Sequence, residues 1–359
     1  MVLDFAKEAI KNAETHSINF NELRAGKANI KVFGVGGAGC NSVTWLFNKG
    51  ITGATVYGVN TDALHLSITK ADEKILIGKE MTRGLGCGGM PAKGREAAKE
   101  SLSELKKSTG GADMVFIVTG LGGGTGTGAS PVIAQLAKES GAVVIAVATM
   151  PFDCEKVRQD KAEFGLQELT EVVDTAILID NNRLVDIAGQ LPMEQAFAVA
   201  NELISTMIKG IVETITLPSL INLDYADVSA IMKNGDVAVI GVGEADGKSR
   251  VDEAVRQALT QPLLDVDYRG ATGALIHITC GPDFKLEEFS GVGELVTENI
   301  AQDAQVIIGA RINKDFPNKV RVITIMTGVK SPYVLGRALR QEQEKTKPEI
   351  SDLGIEVFR

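Results

Sequence analysis

Residues 114–128 have the sequence MVFIVTGLGGGTGTG, in which a compact apolar run leads into a loop of glycines and threonines. The run Met114–Val118 does not alternate between apolar and polar residues, which is typical of a parallel strand covered by helices on both faces. A helical pattern, Ser130–Glu139, follows the loop. Strand, glycine loop and helix in this order predict an α/β unit with an anion site where the helix begins.

The loop at residues 122–128 has the chemistry of a phosphate site. Its glycines let the backbone approach a phosphate and turn its N–H groups inward, while Thr125 and Thr127 would add hydroxyl donors. The alternative is an ordinary flexible loop. Glycines that alternate with threonines between a strand and a helix, however, are poorly suited to any role other than binding an anion. The chain contains no GxxxxGK[ST] sequence, so the predicted phosphate grip is not of the Walker type.

A second glycine loop, Gly34–Gly39, ends the β-rich run that begins at Ile30. It satisfies GxGxxG, so a dehydrogenase that binds a nicotinamide dinucleotide is a competing interpretation. That site also requires an acidic residue at the end of the second strand, where this chain has Asn60-Thr61-Asp62. Because a nicotinamide site has no use for the loop at 122–128, the two loops together favour a nucleoside triphosphate.

Further apolar runs predict a doubly wound parallel sheet in the first half of the chain. They are Thr55–Val59, Lys74–Ile77, Val143–Ala148 and Ala176–Ile179, with helical patterns at Ala92–Lys107 and Lys161–Val172. A long amphipathic pattern, Pro192–Leu217, predicts a helix between two domains. After it, a smaller α+β domain with a four-stranded sheet is expected. Its predicted strands are Val237–Val242, Ala274–Thr279, Val306–Ile312 and Val320–Met326, and its helices are Asp252–Leu259 and Leu286–Asp303.

Composition narrows the classes of function. The 359 residues suffice for two domains, and a formal net charge of −9 disfavours a nucleic-acid partner. The cysteines form no CxxC pair and the histidines are scattered, so neither a zinc site nor a Ser-His-Asp triad is expected. The N-terminal residues are charged where a signal peptide is apolar, and no apolar run approaches the ~20 residues of a membrane helix. We expect a cytoplasmic protein without direct membrane insertion.

The motifs, taken in order, resemble those of the FtsZ family of tubulin-like GTPases over residues 29–329. They are Gly36-Gly-Ala-Gly-Cys-Asn41, Asn60-Thr-Asp-Ala63, Thr82-Arg-Gly-Leu-Gly86, the 122–128 loop, Met150-Pro-Phe152, Asn201 and Asn222-Leu-Asp-Tyr-Ala-Asp227. The stretch Thr327-Gly-Val-Lys-Ser-Pro332 is similar to archaeal members. Cys40 is a departure, since it stands where the family often has glycine.

This resemblance implies a division of the chain and a function. The parts would be an N-terminal helical extension (1–28), a GTP-binding domain (29–191), a central helix (192–217), a C-terminal domain (218–330), a linker (331–351) and a tail peptide (352–359). The protein would bind GTP or GDP with Mg²⁺ on the β- and γ-phosphates. It would polymerise into the cell-division ring at the inner face of the membrane. A tubulin-like filament for cell shape or plasmid partition is the alternative.

The resemblance also implies roles for individual residues at the nucleotide. Gly36, Gly37 and Asn41 would touch the α- and β-phosphates, Asn60 and Asp62 would lie near the ribose and phosphates, and Gly123, Gly124, Thr125, Gly126 and Thr127 would cradle the β- and γ-phosphates. Glu155 resembles a ribose-binding acid with Arg158 beside it, Asn181 another nucleotide contact, and Phe197 and Asn201 the residues that stack on guanine and bind its edge. Without the resemblance, Phe197 on an apolar stripe would be assigned to the core, and Asp62 equally fits a helix cap.

Asn222, Asp224 and Asp227 are the implied catalytic residues. By themselves they also fit the cap of a helix near Ala226–Met232. Carboxylates beside a phosphate are useful if they position or deprotonate water, yet these lie a ~35 Å helix away from the base-binding end. Head-to-tail stacking of subunits would bring one subunit's aspartates to the next subunit's γ-phosphate and would propagate into a filament.

The segment 352–359 contains four apolar residues, Leu353, Ile355, Val357 and Phe358, after a charged linker. A frayed terminus is the simple interpretation. The resemblance instead implies a peptide that docks on a membrane-anchoring adaptor such as a SepF-like protein and becomes ordered on binding.

Overall fold

The computed structural model of the chain describes residues 28–217, 220–221, 224–233, 236–260, 268, 270–298 and 300–329. Residues 1–27 of the predicted N-terminal extension, the predicted linker and tail peptide, and Asn222 lie outside this part of the chain. Within it, no helix is both long enough and apolar enough to cross a membrane.

Six parallel strands form the first half of one sheet. They are β1 (Ile30–Val35), β2 (Ala54–Asn60), β3 (Glu73–Leu76), β4 (Met114–Gly120), β5 (Val143–Met150) and β6 (Thr175–Asp180). Their order across the sheet is β3-β2-β1-β4-β5-β6, the doubly wound arrangement, which confirms the predicted fold class. The strand order reverses between β1 and β4, so the loops that follow these two strands open onto one crevice.

Burial on both faces explains why these strands have no polar face. Every residue of β1 is buried. Ile30 and Val32 pack into the apolar core on one side of the sheet, and Phe33 and Val35 into the core on the other side. Helices therefore cover both faces, as the uninterrupted apolar runs predicted.

Twelve helices are found in the described part of the chain. They are α1 (Gly36–Lys49), α2 (Ala63–Ile68), α3 (Lys79–Thr82), α4 (Pro91–Glu100), α5 (Leu102–Thr109), α6 (Thr125–Glu139), α7 (Lys156–Thr170), α8 (Asn181–Ala188), α9 (Met193–Thr216), α10 (Tyr225–Lys233), α11 (Arg250–Leu259) and α12 (Leu286–Thr297). Several differ from the sequence predictions, and the helices predicted at Ser130–Glu139 and Lys161–Val172 begin earlier, at Thr125 and Lys156. The pattern Ala92–Lys107 is two helices separated at Ser101, and the helix that starts at Leu286 ends at Thr297 rather than Asp303.

Four more strands complete the sheet. They are β7 (Asp236–Asp246), β8 (Gly273–Cys280), β9 (Gln305–Ile312) and β10 (Lys319–Thr327), in the order β7-β10-β8-β9. The predicted four strands are thus present and neighbours. They do not form a separate sheet, because β7 also pairs with β6 in parallel from Thr175↔Asp236 to Ile177↔Ala238. The result is one continuous sheet of ten strands.

Helix α9 joins the two halves. Its 24 residues extend about 36 Å at 1.5 Å per residue. Its apolar stripe packs in the same core as β1 and β4 of the first half and as Leu275 and Ile323 of the second. Gly210 permits close packing there, since a Cβ atom on it would lie 2.3 Å from the Ile323 Cδ1 atom. The helix begins near the crevice and ends beside the bridge between Ile221 and Ala310.

Candidate active site

The two glycine loops touch each other at the crevice. Gly36 begins α1 with a φ of 74°, a conformation that favours glycine. A Cβ atom on Gly36 would lie 2.8 Å from the backbone nitrogen of Gly126. The residue after β1 and the start of α6 are therefore held in direct backbone contact, and a side chain would separate them.

Two other glycines face empty space. A Cβ atom on Gly37 or Gly123 would meet no atom within 4 Å, and both residues line a cavity of about 410 Å³. Protein packing does not explain the missing side chains at these two positions. The room they leave is available to a ligand that approaches the backbone closely.

Backbone N–H groups give this cavity its attraction for anions. Helices α1 and α6 both begin at it, neither has a side-chain cap, and neither carries an acidic residue in its first turn. The N–H groups at the starts of both helices thus remain for a ligand, together with the positive ends of the helix dipoles. The charged lining side chains, Glu155 and Arg158, neutralise each other in an ion pair of 2.7 Å.

A second cavity, of about 970 Å³, adjoins the first and shares Gly37, Thr149, Asn181 and Phe197 with it. Phe197 keeps 37% of its surface exposed at the start of α9 and meets the edge of Phe152 at 6.0 Å between ring centroids. Phe197 is therefore not a core residue. An exposed ring at the junction of the two cavities offers a surface on which a nucleobase could stack.

Most of the predicted nucleotide-binding residues line these two cavities. They are Gly37, Asn41, Gly123, Gly124, Thr125, Gly126, Glu155, Arg158, Asn181, Phe197 and Asn201. Residues from five separate segments of the chain thus meet at one cleft. Thr125 adds a hydroxyl group, which hydrogen-bonds to the hydroxyl of Thr61 at 2.7 Å.

Gly36, Asn60, Asp62 and Thr127 do not line either cavity. Asp62 caps α2, where its carboxylate accepts a hydrogen bond from the backbone N–H of His65 at 2.9 Å, so the cap foreseen as its alternative is present. The hydroxyl of Thr127, which was expected to reach the phosphates, does not face either cavity. This side chain is fully buried, and its hydroxyl accepts a hydrogen bond from the Gly122 N–H at 2.9 Å, so it shapes the loop from behind.

The predicted catalytic aspartates lie beyond the other end of α9. Asp224 is exposed, and its carbonyl oxygen accepts from the N–H groups of Asp227 and Val228 at the start of α10. Helix α9 separates them from Phe197 by roughly 30 Å. Neither aspartate lines the cleft of its own chain. Asn222, the third of this set, lies outside the described residues.

Three polar side chains that the sequence prediction missed bind predicted site residues. The Ser42 hydroxyl donates to Asn201 Oδ1 at 2.8 Å, Thr61 pairs with Thr125, and His65 Nε2 lies 3.1 Å from Asn41 Oδ1. Ser42 and Thr61 each stand next to a predicted residue in the sequence. His65 follows the capping Asp62 by three positions, which on a helix brings it back toward the same site.

Cys40, the departure from the family pattern, does not face the cleft. Its thiol is fully buried and donates toward the carbonyl oxygens of Gly34 and Val59, between β1 and β2. This burial raises the pKa of Cys40 to about 11, so the thiol stays protonated. Cys40 therefore packs the loop and offers no nucleophile.

Comparisons with known families and proteins agree with this geometry. Residues 29–189 match the Tubulin/FtsZ family, GTPase domain, and residues 236–330 match the FtsZ family, C-terminal domain. Cell division protein FtsZ 2 of Halobacterium salinarum is 47% identical over 354 residues, which cover 98% of this chain and 90% of that protein. Cell division protein FtsZ 1 of Archaeoglobus fulgidus is 52% identical over 334 residues, covering 93% of this chain and 89% of that protein.

Solved structures give the same result. An empty FtsZ dimer of M. jannaschii superposes with a TM-score of 0.80 at 48% identity, covering 90% of this chain and 92% of that one. CetZ2 of Haloferax volcanii, in a GTPγS-bound protofilament, superposes with a TM-score of 0.75 over 89% of this chain and 100% of that one. At 22% identity, this second likeness concerns the fold alone.

Proposed function

The chain belongs to the tubulin/FtsZ family of GTPases, and we propose that it is the subunit of a cell-division filament that binds GTP between its two glycine loops. The observation that carries this proposal is the pair of uncapped helix starts, α1 and α6, facing the space left by Gly37 and Gly123. A polyphosphate suits such a site, because many N–H donors can bind it without a net positive charge.

We assign the cleft to the parts of GTP as follows. The phosphates would lie in the smaller cavity, over Gly37, Gly123, Gly124, Thr125 and Gly126. Asn41, which lines the larger cavity, would reach them from the junction of the two. The ribose would lie near Glu155, Arg158 and Asn181, and the guanine would stack on Phe197 with Asn201 at its edge. Gly36, Asn60, Asp62 and Thr127 would act from behind, by shaping the loops that bind the phosphates.

Mg²⁺ would accompany the nucleotide and offset the charge of the β- and γ-phosphates. The described residues contain no group of three or more His, Cys, Asp or Glu side chains able to hold a metal ion. We propose that phosphate oxygens would supply most of its ligands, as is usual for Mg²⁺ at nucleotide sites, and that the Thr125 hydroxyl in the smaller cavity would supply a protein oxygen.

Hydrolysis would require two subunits. Asp224 and Asp227 lie at the opposite end of α9 from the cleft, so one chain cannot bring them to its own γ-phosphate. A head-to-tail contact would place them over the next subunit's nucleotide, where they could orient or deprotonate the attacking water together with Asn222. Asp224 is exposed and so is free to act in such a contact.

Exposed apolar side chains at both ends of the molecule support this contact. Leu64 and Leu85 flank the capping Asp62 at the phosphate end, with 79% and 83% of their surfaces exposed. Leu220, Ile221 and Ile312 are exposed at the end that carries Asp224. Apolar side chains in these positions would be buried when one subunit's Asp224 end meets the next subunit's cleft.

The proposed parts of the chain follow from the same assignment. The GTP-binding domain would comprise residues 29–191, the central helix 192–217 and the C-terminal domain 218–330. Residues 331–351 would link this body to the tail peptide 352–359, which would bind a membrane-anchoring, SepF-like adaptor at the division ring. No observation specifically supports the alternative of a filament for cell shape or plasmid partition.

The rate of GTP hydrolysis, measured against protein concentration, tests the shared site. We expect almost no specific activity below a critical concentration and a steep rise above it. A mixing experiment is sharper. Asp224→Ala binds GTP but lacks the aspartate, whereas Gly123→Ala keeps the aspartate but binds GTP poorly. Their mixture should hydrolyse GTP faster than the sum of the two alone. A specific activity that stays constant on dilution, with no gain on mixing, would contradict the proposal.

A further inference from the structure

His65 lies between two of the asparagines at the cleft. It projects from α2 and is half-buried. Its Nε2 atom is 3.1 Å from Asn41 Oδ1, and its Nδ1 atom is 3.4 Å from Asn60 Nδ2. Asn41 lies in the second turn of α1 and lines the larger cavity, and Asn60 is the last residue of β2.

The direction of each hydrogen bond in this chain of side chains follows from a backbone donor. The N–H group of Thr61 can only donate, and it lies 2.9 Å from Asn60 Oδ1. The N–H of Asp62 donates to the same oxygen at 3.3 Å. These two bonds fix the Asn60 amide with its oxygen toward the backbone, so its NH₂ group faces His65.

The imidazole then has one possible neutral form. Because Asn60 Nδ2 donates, His65 Nδ1 must accept and carries no proton. The proton is on Nε2, which donates to Asn41 Oδ1. The oxygen of the Asn41 amide is thereby engaged, and its NH₂ group is the part left to face the cavity. The backbone N–H of Thr61 thus sets the orientation of the Asn60 amide, and through His65 that of the Asn41 amide at the cleft.

We infer that His65 is a positioning residue for GTP binding: it holds the Asn41 amide so that its NH₂ group, and not its oxygen, meets the phosphates. The inference rests on the proposed function, since it assumes that the cleft binds GTP. An amide turned the other way would bring an oxygen against an anion and replace an attraction by a repulsion. Asn41 alone has two orientations of similar energy, and His65 selects one of them.

The neighbouring groups are consistent with this role. Asp62 is the charged residue nearest in sequence. Its carboxylate accepts a hydrogen bond from the backbone N–H of His65 and so fixes the backbone that carries the imidazole ring. The carbonyl oxygen of His65 accepts from the N–H and the hydroxyl of Thr69, which fixes the end of α2. The ring is thus attached to a short helix that is anchored at both ends.

Affinity for mant-GTP, with unlabelled GTP as competitor, tests the inference on the full-length chain. We expect His65→Ala to weaken binding by about tenfold, the scale of one hydrogen bond to a charged group. His65→Gln should stay within about threefold of the parent, because its amide can also accept from Asn60 and donate to Asn41. Ser67→Ala, on the exposed side of the same helix, is the matched control and should bind as the parent does.

A double-mutant cycle separates positioning from a general loss of structure. If His65 acts through Asn41, the variant Asn41→Ala/His65→Ala should bind no more weakly than Asn41→Ala alone. Losses that add would overturn the inference, as would unchanged binding by His65→Ala. If the parent protein itself fails to bind mant-GTP, the proposed function fails instead.

The tautomer can be measured without any variant. In ¹⁵N-labelled imidazole spectra of the unliganded protein near neutral pH, His65 should carry its proton on Nε2, with Nδ1 as an acceptor. A proton on Nδ1 could not coexist with donation from the Asn60 NH₂ group and would overturn the inference, whatever the binding data show.

Discussion

Ser42 of α1 donates a hydrogen bond to the Oδ1 atom of Asn201 on α9, at 2.8 Å. The bond links α1, which begins at the smaller cavity, to α9, which carries the residues assigned to the base. It also engages the oxygen of the Asn201 amide, which leaves the NH₂ group available to a ligand in the larger cavity that Asn201 lines. An NH₂ donor there suits the O6 acceptor of guanine and opposes the amino group of adenine.

Ser42→Ala should therefore reduce the preference for guanine more than it reduces nucleotide binding itself. Without the serine, the Asn201 amide can turn and present its oxygen to the amino group of adenine. We expect the ratio of ATP to GTP dissociation constants to fall by roughly tenfold, about the effect of one hydrogen bond. Competition against mant-GDP measures both constants. A ratio equal to that of the parent would contradict this role.

Gly123→Ala should separate folding from nucleotide binding. A Cβ atom at this position meets no protein atom within 4 Å, so the variant should unfold at the same temperature as the parent. The methyl group would instead occupy the space assigned to phosphate, and we expect GTP affinity to fall by about 10- to 100-fold, the scale of overpacking a close contact.

Gly126→Ala is the contrasting variant. A Cβ atom there would lie 2.6 Å from the carbonyl oxygen of Gly120, so this change should lower the melting temperature as well as the affinity. Equal effects of the two substitutions on stability would mean that the loop packs differently around Gly123.

Asp224→Ala should leave GTP binding nearly intact while it lowers kcat by at least about 100-fold, the usual contribution of a general base. The reason is distance, since α9 keeps this carboxylate away from the cleft of its own chain. Filaments should persist longer, because the nucleotide that they contain is hydrolysed slowly. Equilibrium binding and light scattering after GTP addition measure the two effects. A loss of binding would place the aspartate in its own subunit's cleft.

The sequence predicted the fold class and most of the cleft because the relevant signals are local. Buried parallel strands leave uninterrupted apolar runs, and a glycine loop between strand and helix marks an anion site wherever it occurs. It could not reveal where Thr127 points, because its sequence environment resembles that of Thr125. Only Thr125 faces the cavity, while Thr127 supports Gly122 from the core.

The differences elsewhere arise from contacts between distant segments. The pattern Ala92–Lys107 has helical periodicity throughout, but the helix is interrupted at Ser101. The hydroxyl of Ser101 accepts a hydrogen bond from the N–H of Gly78. Next to the pairing of β6 with β7, Thr175 of β6 donates a hydrogen bond to the carbonyl oxygen of Met232, near the end of α10. His65 was overlooked for the same reason, since its partners come from α1 and β2.

Arg250→Met should destabilise the second half of the molecule. Arg250 is almost fully buried and binds Glu288 through two hydrogen bonds, of 2.6 and 2.8 Å, and Asp283 through another. Its loss leaves Glu288 without its cation, at a cost of roughly 3 kcal/mol in the free energy of unfolding. Arg256→Met, on the same helix, breaks only an exposed pair with Glu253 and should cost less than about 1 kcal/mol.

The same cluster gives a dependence on pH. Hydrogen bonds from Arg250 lower the pKa of Asp283 and of Glu288 below their ordinary values. Carboxyl groups with a lowered pKa in the folded state stabilise it above their unfolded pKa, and this contribution is lost as the pH falls through the folded values. The difference in unfolding free energy between the parent and Arg250→Met should therefore shrink below roughly pH 4. Urea titrations at several pH values measure it, and a constant difference would contradict the assignment.

Deletion of residues 352–359, which lie outside the described part of the chain, should leave GTP turnover and assembly in solution unchanged and abolish rings at the membrane. Four of these eight residues are apolar, and they follow a segment rich in charged residues. Residues 331–351 could extend roughly 70 Å, enough to hold a filament near a bilayer while the tail binds an adaptor. Assembly of the deleted chain in vitro, and its localisation in cells that lack the parent, measure the two functions separately. A comparable loss of assembly in solution would mean that the tail packs on the body, and normal rings would mean that it is only a frayed end.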